Sequence, residues 1–271
     1  MNGPANMDGR EAATGAEAAT AQTALITGAA RGIGAATARA FAAAGLRVAV
    51  HHRTHRSEAE ALLASLPGDG HTLLAADLVE PDAATDLMDR AVRDLGSVDV
   101  LVSNAGQWIG HPPTTTDYRE WQDAWRRTLD VNLTGAANLA WAMTDHLVHR
   151  TSGPAAGRMI FVGSRGAYRG EPEAPAYGAA KAGVHALAQS LAAHLGPYDV
   201  GVYAVAPGVI RTELTSYLLK GPIGEEIRSQ SPFGRVGDAA EVADAILWLS
   251  SRPALWASGT VLDLNGASYL R

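Results

Sequence analysis

Thr27-Gly28-Ala29-Ala30-Arg31-Gly32-Ile33-Gly34 is the stretch on which the fold turns. It follows a short apolar run at 24–27 and opens an Ala-rich helical pattern at 33–44. Glycines in such a turn let the backbone approach a phosphate. The helix N-terminus behind them offers unpaired N–H groups and positive potential. The spacing is wider than G-x-G-x-x-G: three residues separate the first two glycines and one separates the last two. A plain strand-to-helix turn also uses glycine, so the surroundings decide.

Outward from this turn, short apolar runs alternate with longer helical patterns. The runs are 24–27, 47–52, 72–75, 98–103, 158–163, 200–206 and 261–264; the helical stretches are 33–44, 56–66, 82–95, 117–149, 176–195 and 238–250. Repeated β-then-α order means parallel strands joined by right-handed crossovers. Near-continuous apolar strands fit a sheet covered on both faces. The pattern predicts one α/β domain over 22–271, a doubly wound parallel sheet of about seven strands, the Rossmann type. Residues 1–21 hold no bulky apolar residue beyond two Met and read as a flexible tail. The irregular stretch 209–237 interrupts the last crossover and reads as a substrate lid.

Composition narrows the function classes. The 271 residues are 47% hydrophobic and 18% charged, a globular balance. With no cysteine, disulfides and thiolate metal sites are excluded, and a cytoplasmic protein is the simplest expectation. A net charge of −6 without a Lys/Arg run argues against nucleic acid. No apolar stretch is long enough to span a bilayer, and Asp8, Arg10, Glu11 and Glu17 interrupt the N-terminus where a signal peptide needs an apolar block. His51 and His55 do not share a helix face with a carboxylate, so no metal site is expected; His146/His149 and His185/His194 read as helix-surface residues.

The end of the second run bears on the ribose. An NAD site offers a carboxylate there, an NADP site an arginine. No Asp or Glu occurs between Gly34 and Glu58; the run continues into His51-His52-Arg53-Thr54-His55-Arg56. Arg53 can fork onto a phosphate, Thr54 can donate to it, and Arg31 points to the same region. NADP(H) is expected, although solvated strand-end cations would look similar.

Tyr177-Gly-Ala-Ala-Lys181 lies in a helical pattern, where residues four apart share a face. A phenol titrates at about 10, and a fixed cation nearby lowers that value. Ser164 closes the fifth run at the carboxyl edge of the sheet, where ligands of parallel sheets bind. Asn104-Ala105-Gly106 ends another run on that edge. Asn132 is a poor helix former inside a long helical pattern, which marks a local break.

Together these residues resemble the short-chain dehydrogenase/reductase family from Thr23 to the C-terminus. The matching pieces are Thr27-Gly28-x-x-x-Gly32-x-Gly34, Asp77-Leu78, Asn104-Ala105-Gly106, Asn132, Ser164, Tyr177-x-x-x-Lys181, and Pro207-Gly208 with Thr212. The resemblance implies that Tyr177 is the general acid in reduction and the base in oxidation. It implies that Lys181 holds the nicotinamide ribose and lowers the Tyr177 pKa, that Ser164 polarises the carbonyl, and that Asn132 holds a water linking Lys181 to solvent. Thr27, Gly28, Gly32, Ile33 and Gly34 would cradle the pyrophosphate; Asp77 and Leu78 would meet the adenine. Asn104, Ala105 and Gly106 would form the cofactor floor, with Pro207, Gly208, Val209 and Thr212 around the nicotinamide. Arg31 and Arg53 match the family's NADP(H) positions, and His52 stands where NAD-selecting members carry Asp. Ser103 departs from the Asn common before Asn-Ala-Gly.

The expected activity is NADPH-dependent reduction of a ketone or 3-oxo compound. Oxidation of an alcohol or sugar is the alternative, and a nucleotide-sensing protein without chemistry is another. Loops 107–116, 165–176 and 209–234 offer Trp108, Arg165, Tyr168, Tyr217 and Leu218 to a small-molecule substrate. Arg165 could meet an acidic substrate or form a surface ion pair. Arg126/Arg127 could greet an acyl carrier protein, but a solvated helix face accounts for them as well. Members usually assemble as tetramers through two long helices, here 117–149 and 176–195; a homotetramer or homodimer is expected.

Overall fold

Seven parallel strands, β1 (Thr23–Ile26), β2 (Arg47–His52), β3 (Thr72–Ala75), β4 (Val100–Ser103), β5 (Arg158–Val162), β6 (Gly201–Pro207) and, late in the chain, β9 (Val261–Leu264), form one sheet in the order β3-β2-β1-β4-β5-β6-β9. The computed structural model describes residues 22–150, 156–213, 215–216 and 218–271; the expected tail and Tyr217 lie outside them. A short second pair, β7 (Ile210–Arg211) with β8 (Gly237–Asp238), is also parallel. The chain reverses its winding between β1 and β4, so the crevice between their carboxyl ends is the ligand position of a doubly wound sheet.

Alternate residues of each strand enter opposite cores. Leu25, Leu101, Met159 and Phe161 pack with helices α3 (Ala83–Leu95), α5 (Gly135–His149) and α7 (Pro175–Leu195). Ala24, Ile26, Val102 and Ile160 pack with α1 (Gly32–Ala43), α2 (Arg56–Ser65) and α9 (Ala239–Ser250). Both faces are buried, which is why the runs lack in/out alternation.

The pattern at 117–149 does not form one helix. α4 (Tyr118–Leu129) passes into a π turn at Asp130–Thr134, and α5 resumes at Gly135. The break falls around Asn132, the residue whose propensity marked it. Asp117 caps α4, its Oδ1 accepting from the N–H groups of Arg119 and Glu120. A turn, α6 (Gly166–Arg169), follows β5. The stretch 209–237 is more ordered than its composition suggests: it contains β7 and α8 (Gly221–Ser229), with Pro222 in the first turn of that helix. Among the described residues, no helix is long and apolar enough to cross a membrane.

Candidate active site

The glycine turn is shaped by contacts a side chain would block. Gly28 has φ 61°, and a Cβ there would meet the Ala105 Cα at 2.9 Å. A Cβ on Gly34 would collide with the Gly28 carbonyl. Asn104 fixes the turn from β4: its Nδ2 donates to the carbonyls of Thr27 (2.9 Å) and Gly28 (3.0 Å). Thr27 Oγ1 accepts from the N–H groups of Asn104 (3.0 Å) and Ala105 (3.1 Å). No side chain caps the start of α1 and no acid lies in its first turn, so its N–H groups remain available to an anion. Thr212 comes from the segment after β7 to within 3.3 Å of a Cβ placed on Gly32. These features fit a dinucleotide pyrophosphate.

His51, discounted in the sequence, holds this turn. It is 2% exposed. Its Nδ1 accepts from the Gly28 N–H at 3.1 Å, and its Nε2 lies 3.1 Å from the Ala76 carbonyl. Burial lowers its pKa to about 4, so the ring is neutral, with its proton on Nε2. One imidazole thus ties the ends of β1, β2 and β3 together. Alternation along β2 could have placed a side chain there, but it could not have shown the hydrogen bonds.

Beside it, His52 is buried, with Nδ1 lacking a partner. Arg53 is half-exposed, 3.7 Å from Asp77. Thr54 meets His55 Nδ1 at 3.2 Å. Leu78 is buried against Gly135.

Ser164, Tyr177, Lys181 and Asn132 converge at the ends of β4 and β5. Ser164 directly follows β5, and its Oγ accepts from the Gly166 N–H at 3.0 Å. Tyr177 stands in the first turn of α7, and Ser164 lies near enough to lower the pKa of its phenol. Lys181, one turn on, is 4% exposed. Its Nζ donates to the Val162 carbonyl at 2.7 Å and lies 5.6 Å from the Tyr177 ring centre. Asn132 is pinned to Gln107, accepting from its N–H and donating to its carbonyl, each at 2.8 Å. A Cβ on Gly106 would approach Asn132 Oδ1 at 2.7 Å and Lys181 Nζ at 3.5 Å, so glycine opens the space where the two meet. Gly208 presses on Asn265, and the Pro207 carbonyl accepts from the Arg165 N–H.

Electrostatics differ from the expectation of a lowered phenol. Burial, then the Glu171 carboxylate, push Tyr177 up to about 12, with Ser164 pulling the other way. Burial lowers Lys181 to about 8. Lys181 bonds a carbonyl rather than the phenol, and Tyr177 is held protonated.

His111, which no sequence signal marked, supports this corner. It is 1% exposed. Its N–H donates to the Glu173 carbonyl (2.8 Å), and its Nε2 accepts from the Ala176 N–H (3.1 Å). Its Nδ1 meets the Ile109 carbonyl at 2.8 Å, and Trp121 packs edge-on at 5.3 Å.

Several sequence readings need correction. His185 is not on the surface: it is 3% exposed, its Nε2 fills the place where a Gly163 side chain would sit, and among the described residues neither ring nitrogen has a hydrogen-bond partner. His146 is half-buried and accepts from the Val98 N–H. Tyr168 faces His185 (5.1 Å) and the Arg271 guanidinium (4.2 Å) and stays 36% exposed. Arg165 forms no surface ion pair; it is 7% exposed. Arg126 and Arg127 lie on a solvated face, paired with Asp123. Trp108 is half-exposed beside Gly110 in the loop after β4.

Known proteins resemble this chain over most of its length. A family profile described as enoyl-(acyl carrier protein) reductase matches residues 28–266. An uncharacterised short-chain type dehydrogenase/reductase of Sinorhizobium fredii is 35% identical, over 92% of this chain and 98% of its own. A 3-oxoacyl-[acyl-carrier-protein] reductase of Synechocystis is 35% identical, over 93% and 99%. Among solved structures, an angucycline C-6 ketoreductase with bound NADP superposes with TM-score 0.79 at 29% identity, covering 90% of this chain and 94% of that one.

Proposed function

This chain belongs to the short-chain dehydrogenase/reductase family, oxidoreductases of CH–OH and C=O groups that use a nicotinamide cofactor, and from that premise we propose that it reduces a ketone or 3-oxo substrate with NADPH. The observation that carries the reading is the convergence of Ser164, protonated Tyr177 and buried Lys181 beside an uncapped, glycine-lined helix start. When bound, the nicotinamide supplies the hydride.

Tyr177 donates its phenolic proton to the carbonyl oxygen as that oxygen gains negative charge. Ser164 hydrogen-bonds the same oxygen and holds it against the phenol. Lys181 holds the ribose hydroxyls, and its charge, moved towards the phenol, brings the pKa of Tyr177 down from about 12. Asn132 keeps Gln107 in place and seats the water through which Lys181 exchanges protons. Run in reverse, the same residues would oxidise the alcohol, so the choice of reduction rests on the preference for NADPH.

A preference for NADPH over NADH is supported by Arg31, Arg53 and Thr54, side chains that can bond a 2′-phosphate, and by His52 in place of a carboxylate. A similar ketoreductase with NADP bound supports this. The lid over 209–237 closes on the substrate with Leu218, while Trp108 faces it from the loop after β4. Exposed Trp141 on α5 and exposed Trp248 and Trp256 at the other edge suit two self-association faces of a cytoplasmic homotetramer; light scattering on the purified protein measures this.

Tyr177→Phe tests the central assignment. It should abolish turnover and keep NADPH binding, and full activity in that variant sinks the assignment. Screening NADPH oxidation against ketones, 3-oxoacyl thioesters, quinones and pterins identifies the substrate.

A further inference from the structure

Behind the lid lies a cavity of about 300 Å³ between α8, the start of α9 and the end of β9. Val209, Ile227, Val236 and Leu264 give it apolar walls. Its charged residues are not equally satisfied. Arg235 forks onto Glu241 at 2.7 and 2.6 Å, and Asp263 accepts from Arg271 at 2.9 Å through Oδ2, while its Oδ1 is buried without a partner among the described residues. Arg165 has neutral acceptors only: Ser268 Oγ at 2.5 Å and Gln230 Oε1 at 2.6 Å.

A second guanidinium, that of Arg169, donates to the same Gln230 oxygen at 2.9 Å. Among the described residues neither cation has an ion pair. Glu171 lies within electrostatic range of both, but burial raises its own pKa and it pairs with neither. Glu171 therefore offsets part of this charge at longer range, but a buried cation without a direct ion pair is still costly, and proteins retain such a group where a ligand completes it. Burial and the Arg169 charge lower the pKa of Arg165, in line with that cost.

We infer that this cavity binds a carboxylate carried on a short apolar body, with Arg165 as its principal ligand. The Gln230 carboxamide, planar like a carboxylate, sits between the two guanidinium groups outside the cavity lining, and it would give way where the ligand carboxylate reaches Arg169 as well. Arg165 forks onto the carboxylate and Arg169 reinforces it from the more exposed side. The apolar walls take the hydrocarbon portion, and the volume fits a small acid. The carboxylate belongs either to the far end of the substrate or to a separate small acid. Tyr177 and Ser164 do not line this cavity, so binding can be measured without turnover.

The test is calorimetric titration of hexanoate into the full-length protein, with methyl hexanoate as the uncharged control. Wild type should show saturable one-site binding, and the ester at least tenfold weaker binding. Arg165→Met should lose the site and Arg165→Lys keep part of it. Ile227→Trp fills the cavity from α8 with the charges intact and should lose it as well, which holds the test open if Arg165→Met fails to fold. Absence of saturable binding to wild type overturns the inference, as does hexanoate binding that survives in Ile227→Trp. With a ketone substrate in hand, competitive inhibition by hexanoate assigns the carboxylate to the substrate, and non-competitive inhibition assigns it to a separate acid.

Discussion

The backbone N–H of Ala176 donates to Nε2 of His111 at 3.1 Å, one residue before Tyr177. The His111 N–H in turn donates to the Glu173 carbonyl. The loop after β4 and the start of α7 are therefore stitched together beside the phenol. His111→Leu removes the acceptor and should lower kcat roughly tenfold to a hundredfold through misplacement of Tyr177. His111→Gln presents an oxygen near the same place and should recover most of it. NADPH affinity, read by fluorescence, should stay constant in both. Equal kinetics in the Leu and Gln variants would remove His111 from the list of positioning residues.

Arg53 stands apart from the glycine turn, so its loss should be selective. Arg53→Ala should raise the NADPH Michaelis constant roughly tenfold to a hundredfold, as expected for a charged hydrogen bond of about 1.5–3 kcal/mol. NADH should be nearly unaffected. Steady-state kinetics with both cofactors decide it; equal effects count against a 2′-phosphate contact.

His51 should behave in the opposite way. It orders Gly28, which any dinucleotide meets. His51→Leu should weaken NADPH and NADH by a similar factor in fluorescence titrations. A selective loss would place His51 in the phosphate-selecting group instead.

His185 makes stability depend on acid. Burial lowers its folded pKa to about 4 from 6.5. As pH falls below 6.5 the unfolded chain takes up the proton first, so stability present above that pH is lost towards pH 4. The loss between pH 7 and 5 should be roughly 2 kcal/mol for this residue. His51 acts in the same direction. His185→Leu, which also removes two unpaired buried nitrogens, should be more stable at pH 5 and show a flatter profile in urea unfolding. An unchanged profile would mean that the imidazole is not protonated on unfolding in this range.

Much of this was readable from residue order. The seven parallel strands follow from alternating apolar runs and helical patterns, because a doubly covered sheet imposes that pattern. The break at Asn132 was visible as a propensity conflict, though its π geometry was not. The pair β7/β8 and helix α8 were not legible: two-residue strands carry no periodicity, and α8 is short and polar. His51, His111 and Arg165 were missed or misjudged for a common reason. Each is buried by residues far away in sequence, and their hydrogen bonds are tertiary. The phenol's pKa was misjudged because burial raises it first and the Glu171 charge adds to that, while Lys181 binds the Val162 carbonyl.

The turn at Asp130–Thr134 closes on i→i+5 where α-helix closes on i→i+4, so it carries one residue more than the flanking coils require. The extra residue is absorbed locally, and α4 and α5 each keep their own rotational phase against the core. Deleting one residue here would let the two helices fuse without turning either buried face outward, while Asn132 would swing away from Gln107. The scaffold and this part of the site are therefore separable: a single-codon deletion could erase the second while sparing the first.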